Sequence, residues 1–118
     1  MPREYASYGW IITKDRLRES EIKQYGETYL SDSAGVAGPR DIDPALLEKL
    51  KGKGVVLNRR KFRLLDDDDI VYYEGYYIGP DNETEFAPLD DFGMPNSGCT
   101  SIQYREYDSD GVLQWVTL

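Results

Sequence analysis

The chain is expected to fold as an α+β protein, a small antiparallel sheet of about five strands with one short helix and long irregular loops. Three observations predict it. Runs rich in tyrosine and β-branched residues flank the aspartate cluster Asp66 to Asp69, and a second pair of such runs flanks Asp110–Gly111, a dipeptide suited to tight hairpins. Between them and the N-terminal strand, Asp43–Pro44 can open a helix and Gly52 can close it.

Taken in order, YASYGWIIT (residues 5–13) suits a half-buried pleated surface and reads as the first strand. Residues 15–40 are harder to place. RLRESEIK has helix-forming composition, but Gly26, Gly35, Gly38 and Pro39 favour irregular chain. The helix after Asp43 carries Leu46, Leu47 and Leu50 as its apolar stripe, with Lys49 and Lys51 near the C-terminal end of its dipole.

The run KFRLLDDDDIVYYEGYYIG predicts a hairpin in which Leu65 pairs with Ile70, so that Phe62, Leu64, Val71 and Tyr73 share a face. The same register opposes Lys61 to Glu74 and Arg63 to Tyr72. Aromatic residues on both sides of the strand beyond Glu74 suggest a bulge at Gly75, or cover on both faces. A two-residue turn at Asp110–Gly111 pairs Tyr107 with Gln114 and puts Ile102, Tyr104, Leu113 and Trp115 together. Between the hairpins, residues 80–99 hold three prolines and two glycines and read as one long loop, a length that is often functional.

A chain of 118 residues is expected to form a single domain over residues 1–118, and 40% hydrophobic with 13% aromatic residues lies well outside disordered compositions. It has no His and a single Cys, which excludes within this chain a Ser-His-Asp triad, a Cys-His pair, an HExxH helix, internal disulfides and all-cysteine zinc sites. No segment has the apolar length of a membrane span, and no secretory leader is apparent; a cytoplasmic protein without membrane contact is the expectation.

Net charge is -8, unevenly spread. Residues 49–63 hold seven bases, Arg59 and Arg60 among them, and no acid, whereas residues 64–118 hold thirteen acids and only Arg105 as a base. Such a basic strip can contact a polyanion, but its position beside Asp66 to Asp69 favours internal pairing, so nucleic acid is not the expected partner.

Each candidate chemistry has a plainer reading. Asp66 to Asp69 fit a solvated turn better than a selective cation site, and the series Glu106, Asp108, Asp110, Gly111 has Thr117 where a calcium loop needs Glu. No metal site and no cofactor are expected. GKGVV lacks the spacing of a phosphate loop, and Asp81, Glu83 and Glu85 are followed by no lysine, which disfavours a carboxylate nuclease. Cys99 in NSGCTS reads as a buried, inert thiol. The catalytic alternative is an acid and base pair, Asp90 and Asp91, with Asn96 beside Phe92, which would make the chain a carboxylate-based enzyme or small-ligand binder.

Ten tyrosines give the main functional signal, because tyrosine supplies contact area at low entropy cost and recurs in recognition surfaces. Tyr72 and Tyr107, facing outward in the expected registers, are the candidate contact residues, with Arg59 and Arg60 from the basic strip. The expected activity is therefore a non-enzymatic interaction domain that binds a protein partner or itself through exposed aromatics and segregated charge. Acidic mimicry of nucleic acid is a special case.

The stretches YGWIITKD, GPRDI, FRLLDDDD, YYEG and FAPLDDFGMPNSGCTSIQYRE resemble short uncharacterised proteins of actinobacterial type. The resemblance implies a stand-alone bacterial domain and carries no catalytic residue with it.

Overall fold

The structure is a computed structural model that describes residues 4–53, 56 and 58–118. Of the basic run 49–63, Gly54, Val55 and Leu57, and with them part of GKGVV, lie outside the described residues. The architecture is α+β, built on a six-stranded antiparallel sheet. In chain order it runs β1 (Gly9–Asp15), α1 (Arg16–Tyr25), β2 (Ala37–Gly38), α2 (Pro44–Lys51), β3 (Arg60–Leu65), β4 (Val71–Ile78), three helical turns, β5 (Ser101–Tyr107) and β6 (Leu113–Thr117). Laterally the strands lie in the order β2-β1-β4-β3-β5-β6. The sixth strand is the two-residue β2, too short for alternation to reveal.

Local chemistry explains the helices. Asp15 closes β1 and caps α1, its carboxylate accepting from the Arg18 amide at 2.9 Å, and Gly26 ends the helix. Asp43 does the same for α2 through the Ala45 amide at 2.9 Å, followed by Pro44 at the first position. Leu50 is buried beneath α2, which packs on β1 and β4.

Residues 80–99 are not a loop. They wind through a 3-10 turn (Glu83–Phe86), a π-helical turn (Pro88–Gly93) and a short α3 (Met94–Ser97), forming a cover over one sheet face. Prolines misled the reading, since Pro88 and Pro95 each stand at the start of a turn, where a missing N–H is harmless. Under the cover, Trp10, Ile12, Phe62, Leu64, Tyr73, Tyr77, Ile102 and Tyr104 from the strands meet Ala87, Leu89, Phe92 and Cys99.

Three of those core residues are tyrosines whose hydroxyls end on the cover. Tyr104 donates to the Glu85 carbonyl at 2.6 Å, Tyr77 donates to the Pro80 carbonyl at 2.9 Å and meets Thr84 Oγ1 at 2.7 Å, and Tyr73 bonds Ser97 Oγ. A buried phenol needs such a partner, so each hydroxyl specifies where the cover sits. Burial first, and then the neighbouring Tyr77, push the Tyr104 phenol far above its ordinary range.

Both hairpins differ from the expected registers. Leu65 pairs with Val71 and Leu64 with Tyr73, a bulge at Tyr72 absorbing the difference, so Val71 leaves the face of Phe62, Leu64 and Tyr73. Arg63 now opposes Glu74, and Lys61 reaches that carboxylate diagonally at 3.4 Å. Gly75 is no bulge: it sits in register between Ile12 and Phe62, where an added Cβ would lie 2.1 Å from the Ile11 carbonyl oxygen and 2.6 Å from Phe62. In the second hairpin Tyr107 pairs with Leu113 and Arg105 with Trp115, which puts Leu113 and Trp115 on the face opposite Ile102 and Tyr104.

One device causes both shifts. Asp66 N–H donates to the Ile70 carbonyl while its carboxylate accepts from the Asp68 and Ile70 amides, each at 2.9 Å; Asp108 repeats this with Val112, Asp110 and Val112. The loop is thus three residues long in each hairpin, with its third residue left-handed: Asp69 at φ 61° and Gly111 at φ 78°. The acidic run is a turn, as its composition suggested; pairing on paper gave it a four-residue loop and gave Asp110–Gly111 a two-residue one, and the structure closes both around three residues.

Two stability predictions follow from these contacts. Tyr104→Phe should lower the free energy of unfolding by about 1–2 kcal/mol by orphaning a buried carbonyl, whereas Tyr107→Phe should change it by less than about 0.5 kcal/mol. Gly111→Ala should cost about 1 kcal/mol, the left-handed strain exceeding the entropy gained. Urea unfolding of each variant measures all three values.

Candidate functional site

Among the sequence-derived candidates, Asp91 and Asn96 come together. With Phe92 from the cover and Trp10 from β1 they line an open cleft of about 730 Å³ against residues 31–40. Asp90 does not line it; its charge, after burial, helps raise the Asp91 carboxyl above its ordinary value. Asn96 spends one amide hydrogen on the Phe92 carbonyl at 2.8 Å. Cys99 is wholly buried, and burial first, then the charge of Asp66, push its thiol up to about 11.

The four candidate contact residues are placed very differently. Tyr107 stands 73% exposed at the end of β5. Tyr72, at the bulge, packs partly against the core and bonds the Asp66 carboxylate, which raises its phenol above the usual range. Arg59 lies over the Tyr76 ring at 4.0 Å and donates to the Leu50 and Gly52 carbonyls, which ties β3 to the end of α2. Arg60 faces the other way, over Tyr104 at 4.3 Å and bonded to Asp81 at 3.0 Å and to Glu85 and Glu106 at 2.6 Å.

Strand alternation therefore divides the basic run between the two sheet faces. Arg60 is absorbed by acids at the rim of the core, while Lys61 and Arg63 reach the outer face. There Glu74 is nearly buried between Arg16 and Lys61. Burial alone would raise the Glu74 carboxyl, but its bonds to Arg16 and Lys61 outweigh this and hold it below the ordinary 4.5.

Arg63 and Arg105 form no ion pair among the described residues. Instead, both converge on Trp115, with guanidinium carbons 4.2 and 5.8 Å from the ring centroid, and Arg63 also donates to Gln103 at 2.6 Å. Because Arg63 is on β3, two strands in from β6, the indole leans inward over β5 and leaves the backbone of β6 uncovered.

That backbone has a definite phase. Asp108 N–H donates to the Val112 carbonyl at 2.8 Å, and Leu118 N–H to the Ile102 carbonyl at 3.2 Å. Ladder bonds recur at alternate antiparallel pairs, so Gln114 and Val116 turn their amide and carbonyl groups toward β5, whereas Leu113, Trp115 and Thr117 turn theirs to the open edge. Natural edge strands are usually blunted by lysine, proline, bulges or brevity. Residues 111–118 contain no charged side chain and no proline, Leu113 to Thr117 pair with β5 without a register shift, and Val112, Leu113 and Leu118 are exposed. Sequence reading put Leu113 and Trp115 on the core face and did not mark this edge, although the uncharged run was visible in it.

No known protein family, curated protein or solved structure matches the chain. Among the described residues no group of three metal-binding side chains occurs, and no helix is long and apolar enough to cross a membrane.

The Glu74 cluster predicts a pH dependence. A carboxyl held below its ordinary value adds stability that is fully present above about pH 4.5 and is lost as pH falls through the lower folded value. Glu74→Gln should therefore flatten the acid limb of a melting-temperature profile below that point while shifting it little in form above pH 6.

Proposed function

We propose that this chain is a non-enzymatic interaction domain whose docking element is the open edge of β6, and that its occupant is a second copy of the same chain. The uncharged, unblunted edge carries the reading. Two copies related by a two-fold axis through Trp115 pair Trp115 with Trp115 and Leu113 with Thr117 of the other copy. All three outward-facing residues are then hydrogen-bonded at once, and the sheet continues across the seam.

Self-pairing also suits the charges. Nothing from Gly111 to Leu118 repels its own copy, and the two Arg105 side chains stand about three strand spacings apart, roughly 14 Å, beyond the Debye length of about 8 Å in physiological salt. Arg63 contributes indirectly by holding the Trp115 ring off the edge. Tyr107, exposed opposite Leu113, extends the contact at the hairpin end.

Sedimentation analysis of the 13.5 kDa chain should give a reversible dimer at micromolar to submillimolar concentration whose affinity is insensitive to salt. Leu113→Pro and Thr117→Pro each remove an outward N–H and no ladder bond, and should shift the chain to monomer with unchanged far-UV circular dichroism. A wild-type chain that stays monomeric throughout that range overturns the proposal, as does a dimer that both proline variants leave intact.

A further inference from the structure

Among the described residues, the helices pack toward one end of the sheet, α1 on β4 and α2 on β1 and β4. The outer face of β3, β5 and β6 stays open, with Arg105, Tyr107, Leu113 and Thr117 exposed on it. The registers say what it displays. Lys14, Glu74, Arg63, Gln103 and Thr117 stand side by side across five strands, and on the same side Arg105 pairs with Trp115 and Tyr107 with Leu113.

Charge on this face is opposite in sign to that of the whole chain. Lys14, Arg16, Lys61, Arg63 and Arg105 reach it against one carboxylate, Glu74, which is 7% exposed and already bonded to Arg16 and Lys61. Like charges crowd at its centre. Burial first lowers the Arg63 guanidinium, Glu74 partly offsets this, and the charges of Arg16 and Arg105 push it down further. Internal pairing thus accounts for Arg60 and its three acids, but leaves Arg63 and Arg105 without an acid among the described residues.

These two arginines are nonetheless positioned, because both lie against Trp115. Among the described residues Arg63 spends only its Nε–H, on Gln103, and Arg105 donates to nothing. A guanidinium stacked on an indole keeps its in-plane N–H fork, which meets a phosphate with two bonds. Beside them Tyr107 offers a ring on the same side of β5, and a ring next to a cation is the pairing that a chain of alternating phosphates and bases requires. The acidic turns bound the strip at opposite ends of β5, Asp66 to Asp69 near Ser101 and Asp108 to Asp110 after Tyr107. That arrangement favours one row of phosphates over the two of a duplex, whose paired bases would also be closed to Tyr107. An acidic peptide supplies carboxylates but no base to stack.

We infer that the outer face of β3, β5 and β6 binds single-stranded nucleic acid, with phosphates on Arg63, Arg105 and Lys61 and a base on Tyr107. This goes beyond the pairing of β6 and does not rest on it, since strand addition extends the sheet at its edge and leaves the face open in each copy.

A twelve-nucleotide oligothymidylate is the probe, set against a duplex of the same length and a glutamate peptide of equal charge. In ¹⁵N spectra of the full chain the two indole N–H signals are told apart by Trp115→Phe. Oligothymidylate should shift the Trp115 signal saturably and leave Trp10 in place, with a Kd of about 100 µM at about 50 mM salt, weakened roughly twentyfold at about 200 mM by the loss of about three phosphate contacts. Arg105→Gln and Arg63→Gln should each weaken binding at least about threefold and flatten the salt dependence, with unchanged circular dichroism. Arg40→Gln removes the same charge at the far end of the sheet and should change neither. Arg105, exposed and holding only its ring contact among the described residues, decides the matter if Arg63→Gln unfolds. No saturable shift at about 1 mM oligothymidylate, tighter binding of the peptide or the duplex, or an equal loss in Arg40→Gln would each overturn the inference.

Discussion

Three phenol hydroxyls hold this molecule together as a directed structure. Tyr73, Tyr77 and Tyr104 rise from two neighbouring regions of one sheet face, and each ends on the cover at a different point along residues 80–97. Apolar packing alone would tolerate some sliding of the cover, since area burial has no preferred direction. Hydrogen bonds at three separated points do not, because displacing the cover strands buried oxygens on both sides. The many tyrosines thus serve first as fasteners within the chain. Tyr107 and the outer-face aromatics are what remains for contact.

This arrangement makes the two faces of the sheet unequal. The covered face is closed along β1, β4, β3 and β5 by residues 80–99, whereas the outer face is packed by α2 at β1 and β4 and becomes polar toward β3, β5 and β6. There, buried Glu74 satisfies two cations, and two further arginines meet an indole in place of a carboxylate. Arg63 opposes Glu74 on the neighbouring strand, but that carboxylate is held by Arg16 and Lys61, so Arg63 and Arg105 meet the indole instead. Apart from Glu74, the acids of residues 64–118 lie in turns, on the cover and at the core-side rim.

How much of this could be read beforehand depends on the range of the interaction that decides it. The capped helix after Asp43, the first strand, the aspartate turn and the buried thiol are decided by near neighbours and were legible. The cover was not, because Pro88 and Pro95 act as turn initiators only once Leu89 and Phe92 have a sheet to pack on. Registers were missed because a side chain, Asp66 or Asp108, takes over two amides and sets a three-residue loop in each hairpin, and because Tyr72 bulges out of β4. Pairing on paper, which counts backbone residues alone, has no way to see that substitution. Of the candidate site, Asp91, Phe92 and Asn96 were found by loop chemistry, but Trp10 lies some eighty positions earlier and reaches them only through the fold.

The sheet's two edges are finished in opposite ways, and the difference follows from length and charge. At one end β2 offers only Ala37 and Gly38, held to Ile11 and Trp10, so it cannot template an added strand, and the chain around it is shaped into an acidic, aromatic cleft. At the other end β6 presents five uncharged residues with half their backbone groups unmet. The two lie five strand spacings apart, roughly 24 Å, which exceeds the reach of screened charge. A pairing event at β6 is therefore electrostatically separate from the cleft beside Trp10.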